Sequence, residues 1–273
     1  MTVAACLIVD KWTVHSSDSL LTRRLPDGRL DELEWEEPKI VPVQAFRGAL
    51  AYYGFAGLDP ARSTLEWLRT EARQAHRHAS AQAFAAHLAT SAEQRLRALG
   101  LHRTPSGGLG IHLSAYEWCD GSWVPELFHI RNWRDETYSE VSAAGVWWSR
   151  DTYSVLSGSA VEATGALPGS RSAVRDFLRG GGFFRFNNGD PHLFNPLASA
   201  IHDAGYDLLK RVPGGAAAAD AEKWRALARR PVELIADLEL DFLGPGARTV
   251  GGRTHDLVIT PGGQFDSRSG IAG

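Results

Sequence analysis

Thr2-Val3-Ala4-Ala5-Cys6-Leu7-Ile8-Val9-Asp10-Lys11-Trp12-Thr13-Val14-His15-Ser16-Ser17-Asp18-Ser19 reads as a strand hairpin with a chemical group at each end. Val3–Val9 and Trp12–Ser16 are two apolar, β-rich runs, and Asp10-Lys11 between them is a tight turn. Ser17-Asp18-Ser19 closes the second strand with small polar groups. A threonine hydroxyl needs a base beside it to act as a nucleophile. Once Met1 is removed, Thr2 supplies both, because its own α-amine can take the hydroxyl proton. A free α-amine titrates near pH ~8, so a useful share of it is neutral at cellular pH.

Outward from this hairpin, residues 20–38 are polar. They hold a Pro26-Asp27-Gly28 turn and an acidic stretch, Asp31 to Glu37, that reads as a solvated loop. Lys39 opens the strand Ile40-Val41-Pro42-Val43. Ala49-Leu50-Ala51-Tyr52-Tyr53-Gly54 has few charges and reads as a strand buried on both faces. Two helices are predicted next. Leu65, Leu68, Ala72 and Ala75 form one stripe within Ser63–His78, and Phe84, Leu88, Ala92, Leu96 and Leu99 another within Ser80–Leu99. Ser63 and Ser80 stand where N-caps belong. Strands return at Leu109–Glu117, Trp123–Ile130 and Tyr153–Leu156. A short helix is predicted over Ala160–Leu167, and residues 180–196 read as a long loop. Leu197–Arg211 and Ala221–Phe242 are helical. A hairpin follows, His255–Thr260 turned at Pro261-Gly262-Gly263 into Gln264-Phe265. Helix pairs thus lie between blocks of antiparallel strands. This order predicts two sheets packed face to face with helices outside, a four-layer αββα sandwich in the α/β (α+β) class. We expect one domain over residues 1–265, an atypical insertion at about 168–215, and a loose tail over 266–273.

Composition removes several function classes. The net charge of −3 gives no basic field for nucleic acid or an anionic membrane. No apolar run approaches the ~20 residues of a membrane span, and the N-terminus does not have the form of a signal peptide. The only cysteines, Cys6 and Cys119, make no disulfide framework, so the expected location is the cytoplasm. Ten histidines are present, yet none forms a His-x-x-x-His pair and there is no Cys-x-x-Cys, so neither a metal nor another cofactor is expected. Lysine is used at only four positions, Lys11, Lys39, Lys210 and Lys223, among 29 basic residues. Where lysine persists against such an arginine bias, a compact, titratable amine is the property arginine lacks.

Taken together, these blocks resemble the N-terminal nucleophile hydrolases of the proteasome β-subunit and HslV type. Thr2 begins the first strand. Ser16-Ser17-Asp18-Ser19-Leu20-Leu21-Thr22 is similar to the family's Ala-Ala-Asp-Ser-Arg-x-Thr block, and Pro38-Lys39-Ile40 to the block with the catalytic lysine. Ala51 to Gly57 is similar to the glycine-containing turn before the first long helix. Val155-Leu156-Ser157-Gly158-Ser159-Ala160 is similar to the turn that opens the third helix. The resemblance implies Thr2 as nucleophile with its amine as base, and Lys39 beside the hydroxyl, lowering its pKa. It implies Asp18 paired with Lys39, Gly54 N–H as oxyanion donor, and Ser157 near the α-amine. Thr22 would bind the substrate main chain as an added strand, and Tyr52 would line the pocket for a substrate side chain. The implied activity is that of a threonine peptidase in a self-compartmentalising homo-oligomeric ring. It would act on peptides or unfolded protein, and the resemblance allows for a separate ATP-dependent unfoldase.

Two departures keep alternatives open. The Asp18–Lys39 loop is longer than the family norm. Active proteasome subunits carry Asp and Ser before a Gly-Gly pair, whereas Ala247-Arg248-Thr249-Val250 precede Gly251-Gly252 here. The pattern from Val250 to Val258 looks closer to the bacterial ancestral proteasome-like (Anbu) members. A ring subunit without activity and an amidohydrolase acting on a small amide therefore stand beside the peptidase.

Overall fold

The computed structural model describes residues 3–25, 27, 29–57, 60–101, 108–119, 121–131, 147–149, 171–189, 193–244 and 247–271. The fold is mixed α+β, with antiparallel sheets and, among the described residues, five α-helices. The predicted first hairpin is present as β1 (Ala4–Ile8) and β2 (Thr13–Ser17), paired from Ala4↔Ser17 to Ile8↔Thr13. A short ribbon, β3 (Thr22–Arg24) with β4 (Leu30–Glu32), follows. Then come β5 (Ile40–Val43) and β6 (Gly48–Gly54).

The helices α1 (Thr64–Gln74) and α2 (Ala81–Ala98) start where the sequence places their caps. Ser63 Oγ accepts the Glu66 N–H at 3.1 Å, and Ser80 Oγ accepts the Ala83 N–H at 3.1 Å. Each cap satisfies an amide that has no partner inside its helix. The long hairpin β7 (Leu109–Cys119) and β8 (Ser122–Arg131) is next, with β9 (Trp147–Ser149) on its edge. The chain continues through α3 (Arg171–Arg179), β10 (Phe184–Asn188), α4 (Phe194–Leu209) and α5 (Ala221–Leu243). It ends in β11 (Arg253–Ile259) and β12 (Phe265–Ile271).

Among the described residues two five-stranded sheets result, ordered β10-β1-β2-β11-β12 and β5-β6-β7-β8-β9. Side chains alternate between faces along each strand, and the clusters show where each face goes. Val41, Val43, Leu50, Tyr52, Ile111, Leu113, Phe128 and Ile130 pack against Leu65, Leu68, Phe84, Leu88 and Leu96 of α1 and α2. On the other sheet, Leu7, Val14 and Val258 meet Trp224, Leu227 and Ala228 of α5, with Leu209 of α4. The opposite faces of the two sheets meet each other. Cys6 and Ile8 touch Val124 and Leu127, and Ala49 and Tyr116 touch Leu257 and Ile259. Polar ties cross the same gap: Thr13 Oγ1 donates to Tyr116 Oη at 3.0 Å, and His15 Nε2 lies 2.7 Å from Ser114 Oγ.

Three expectations need correction. Residues 180–196 are not one long loop. Phe184–Asn188 forms β10, registered against β1 from Ala4↔Asn188 to Ile8↔Phe184, and α4 begins at Phe194. Glycines at 180–182 masked a strand whose Phe184 and Phe186 supply its apolar face. The tail is not loose across 266–271 either: that stretch pairs with β11 from Arg253↔Ile271 to Ile259↔Phe265. Backbone pairing holds it although its residues are mostly polar. Nor is the acidic run a solvated loop. Glu37 is 3% exposed, Glu32 pairs with Arg248 and Glu36 accepts from Ser19, while Glu34 and Glu36 are exposed. The strand and helix predicted over 153–167 lie outside the described residues.

Candidate functional site

The site candidates gather where β2 ends. Beyond Ser17 the chain leaves the sheet, and Asp18 turns its carboxylate back onto the start of β1. The Val3 N–H donates to Asp18 Oδ1 at 3.1 Å, and the Asp18 N–H reaches Val3 O at 3.4 Å. Lys39, one residue before β5, brings its ammonium to the same oxygen at 2.9 Å and also donates to Leu20 O at 2.8 Å. Both side chains of this pair are 0% exposed. Among the described residues, Asp18 Oδ2 and Ser17 Oγ are buried and have no hydrogen-bond partner.

The electrostatics follow from burial. Desolvation raises the Asp18 pKa, opposed by the Lys39 charge and by the Val3 N–H. Desolvation lowers the Lys39 pKa from its ordinary value, opposed first by Asp18 and then by Glu37 and Glu36. A lysine so placed gives up its proton more readily than a surface lysine.

The backbone beneath the pair is braced from the far end of the chain. Gly251 O accepts the Ser19 N–H at 3.2 Å and the Leu20 N–H at 3.0 Å. Gly252, at φ +73°, lies so close that a Cβ there would stand 2.6 Å from Ser19 Oγ. Ser19 Oγ donates to Glu36 at 2.8 Å and accepts the Arg253 N–H at 2.7 Å. Behind this, the Glu239 carboxylate of α5 accepts the N–H groups of Thr249 and Val250, the latter at 2.8 Å, and the Thr249 hydroxyl at 2.8 Å. Arg248 forms a two-pronged pair with Glu32, both contacts at 2.8 Å. Arg248 and Thr249, which lead into Val250-Gly251-Gly252, are thus engaged by Glu32 and Glu239.

The other predicted residues are placed unevenly. Gly54 ends β6, is exposed, and has φ +88°, a conformation that costs glycine nothing. Thr22 opens β3 and pairs with Glu32 on one side. The other edge of β3 meets no described strand. Tyr52 departs from expectation. It is 1% exposed, faces the helices, and donates its hydroxyl to Glu37, so it is a core residue rather than the wall of an open pocket. Burial and Glu37 both push its pKa up. Thr2 and Ser157 lie outside the described residues.

Sequence reasoning passed over Glu37 and Glu239. Glu37 sits inside an acidic run that looks solvated, and Glu239 inside an ordinary amphipathic helix. Their partners lie 10 to 28 residues away, beyond the reach of a helix or strand period, so no local signal marks them. Among the described residues no group of three His, Cys, Asp or Glu side chains is arranged to hold a metal ion, and no helix is long and apolar enough to cross a membrane. Cys6 is buried, and burial pushes its thiol pKa up, which makes it inert.

No family model and no curated protein matches the chain. Among solved structures, it is similar to a Gly-1 mutant of Anbu from Hyphomicrobium sp. strain MC1. The TM-score is 0.47 and the identity 11%, over 100% of this chain and 87% of that one.

Proposed function

We propose that this chain is a proteasome-like N-terminal nucleophile hydrolase with the αββα layering, and that it cleaves peptide bonds through an acyl-enzyme on Thr2. The observation that carries this reading is the fully buried Asp18–Lys39 pair, whose shared oxygen also takes the N–H of Val3. Val3 is the residue bonded to Thr2, so chain connectivity supports a Thr2 beside the pair. After Met1 is removed, the Thr2 amine takes the hydroxyl proton and the oxygen attacks the scissile carbonyl. Lys39, held charged by Asp18, stabilises the developing alkoxide. The Gly54 N–H acts as oxyanion donor, and Ser157 assists the amine. Water then releases the acyl group. The substrate main chain adds to the open edge of β3 at Thr22. A homo-oligomeric ring encloses these sites, with peptides or unfolded protein as substrate.

A second reading, a ring subunit without activity, is favoured by the engagement of Arg248 and Thr249 in ties to Glu32 and Glu239. Intact-mass measurement followed by an epoxyketone probe separates the two. The peptidase reading expects loss of Met1 and a stable adduct that consumes both the hydroxyl and the amine of Thr2. Retained Met1, or a processed chain that forms no adduct, overturns it.

A further inference from the structure

Two buried acids, not one, border Lys39. Glu37 stands two residues before it and is 3% exposed. Its N–H donates to Ser19 O at 3.0 Å, next to Asp18. Its Oε1 accepts the Leu65 N–H at 3.2 Å, in the first turn of α1, and also accepts the Tyr52 hydroxyl. Tyr52 closes the circuit, since its N–H donates to Lys39 O at 3.1 Å. Pro38, between Glu37 and Lys39, fixes its own φ and disfavours helical backbone at Glu37. The three-residue segment Glu37-Pro38-Lys39 is therefore clamped at both ends.

We propose that Glu37, seated by Tyr52 and the first turn of α1, is a positioning residue that holds Lys39 in place and supplies a second negative field to its ammonium. The proposal rests on the reading of Lys39 as part of the reacting centre. Asp18 touches the ammonium directly, whereas Glu37 acts through the backbone and through space. A lysine taken wholly out of water needs such support to remain charged. The electrostatic balance agrees: Glu37 ranks after Asp18 among the charges that raise the Lys39 pKa against its burial. The other charged groups around this pair are Glu36 on the same segment, His255 on β11, Arg69 on α1 and Arg95 on α2.

The test uses the full chain labelled at lysine and followed by NMR across pH. Lys39 is buried and the other three lysines, Lys11, Lys210 and Lys223, are exposed, so the one signal that titrates apart belongs to Lys39. In Glu37→Gln the midpoint of that signal should fall by about one pH unit, the effect of removing one nearby charge. Glu37→Asp, which keeps the charge, should restore most of it. Tyr52→Phe removes the donor that partly neutralises the carboxylate, so the midpoint should move the other way, upward. A folded Glu37→Gln protein with an unmoved Lys39 signal overturns the proposal. If Glu37→Gln does not fold, an unmoved signal in Tyr52→Phe overturns it instead. None of these readouts uses hydrolysis. A failure of the peptidase reading would show as absent Thr2 chemistry with the Lys39 shifts intact.

Discussion

Lys39 Nζ and the Val3 N–H share one oxygen of Asp18, at 2.9 and 3.1 Å. Asp18 thereby joins three segments: the start of β1, the end of β2 and the approach to β5. Asp18→Asn should leave a fully buried ammonium without its counter-charge. The expected cost is about 3–5 kcal/mol in chemical denaturation. Adding Lys39→Met should recover part of that loss, since no unpaired charge then remains. If Asp18→Asn is as stable as wild type, the pair is not a buried ion pair.

Thr2→Ala tests chemistry without disturbing the fold. It should abolish peptide hydrolysis while the melting temperature stays within a degree or two, because the change is one hydroxyl and one methyl at a chain end. Residual turnover at the wild-type rate would place the nucleophile elsewhere.

Gly252 lies against Ser19 with no room for a side chain, at a backbone angle that favours glycine. Gly252→Ala should cost about 1–3 kcal/mol from strain and crowding. Because Ser19 follows Asp18, the same change should reduce labelling by a threonine-directed probe. Unchanged stability and labelling would show that this turn is not a support of the site.

Glu239 gathers two backbone N–H groups and a hydroxyl. In Glu239→Gln the new NH2 group cannot accept them, so one or two buried donors go unsatisfied at about 1–3 kcal/mol. Hydrogen exchange should speed up at Ser19 and Leu20, whose amides bond to Gly251 O just beyond. Exchange confined to residues 249–250 would mean that the brace does not reach Asp18.

Acid stability should depend on His15, which is 0% exposed and hydrogen-bonded to Ser114. Burial lowers its pKa from 6.5 to about 4. The native state then refuses a proton that the unfolded chain accepts. Stability is therefore full above pH 6.5 and declines as pH falls from 6.5 to about 4, by up to about 3 kcal/mol. Urea denaturation at several pH values should show this slope, and His15→Gln should make it shallower while leaving the share of the buried His112 and His202, whose pKa values burial also lowers. An equal slope in both proteins would assign the acid sensitivity to other groups.

Much of this was legible along the chain. Periodicity and turn residues located β1, β2, β5 to β8, α1, α2, α4, α5 and the final hairpin, because each is driven by local patterning and local caps. Asp18, Lys39 and Gly54 stood out through the blocks that resemble the N-terminal nucleophile hydrolases, and Lys39 also as a lysine kept against an arginine bias. The contact between Asp18 and Lys39 is not a local property. Residues 18 and 39 meet because two sheets stack, and burial, not spacing, shifts their proton affinities. The same stacking turned Tyr52 inward, since alternation along β6 gives it the helix-facing side shared with Leu50. It made a strand of the glycine-flanked Phe184–Asn188, since the open edge of β1 supplies the hydrogen bonds that this segment cannot make alone. And it gave Glu37 and Glu239 their tasks, because a carboxylate's role is set by the donors the fold delivers to it, and those donors lie 10 to 28 residues away.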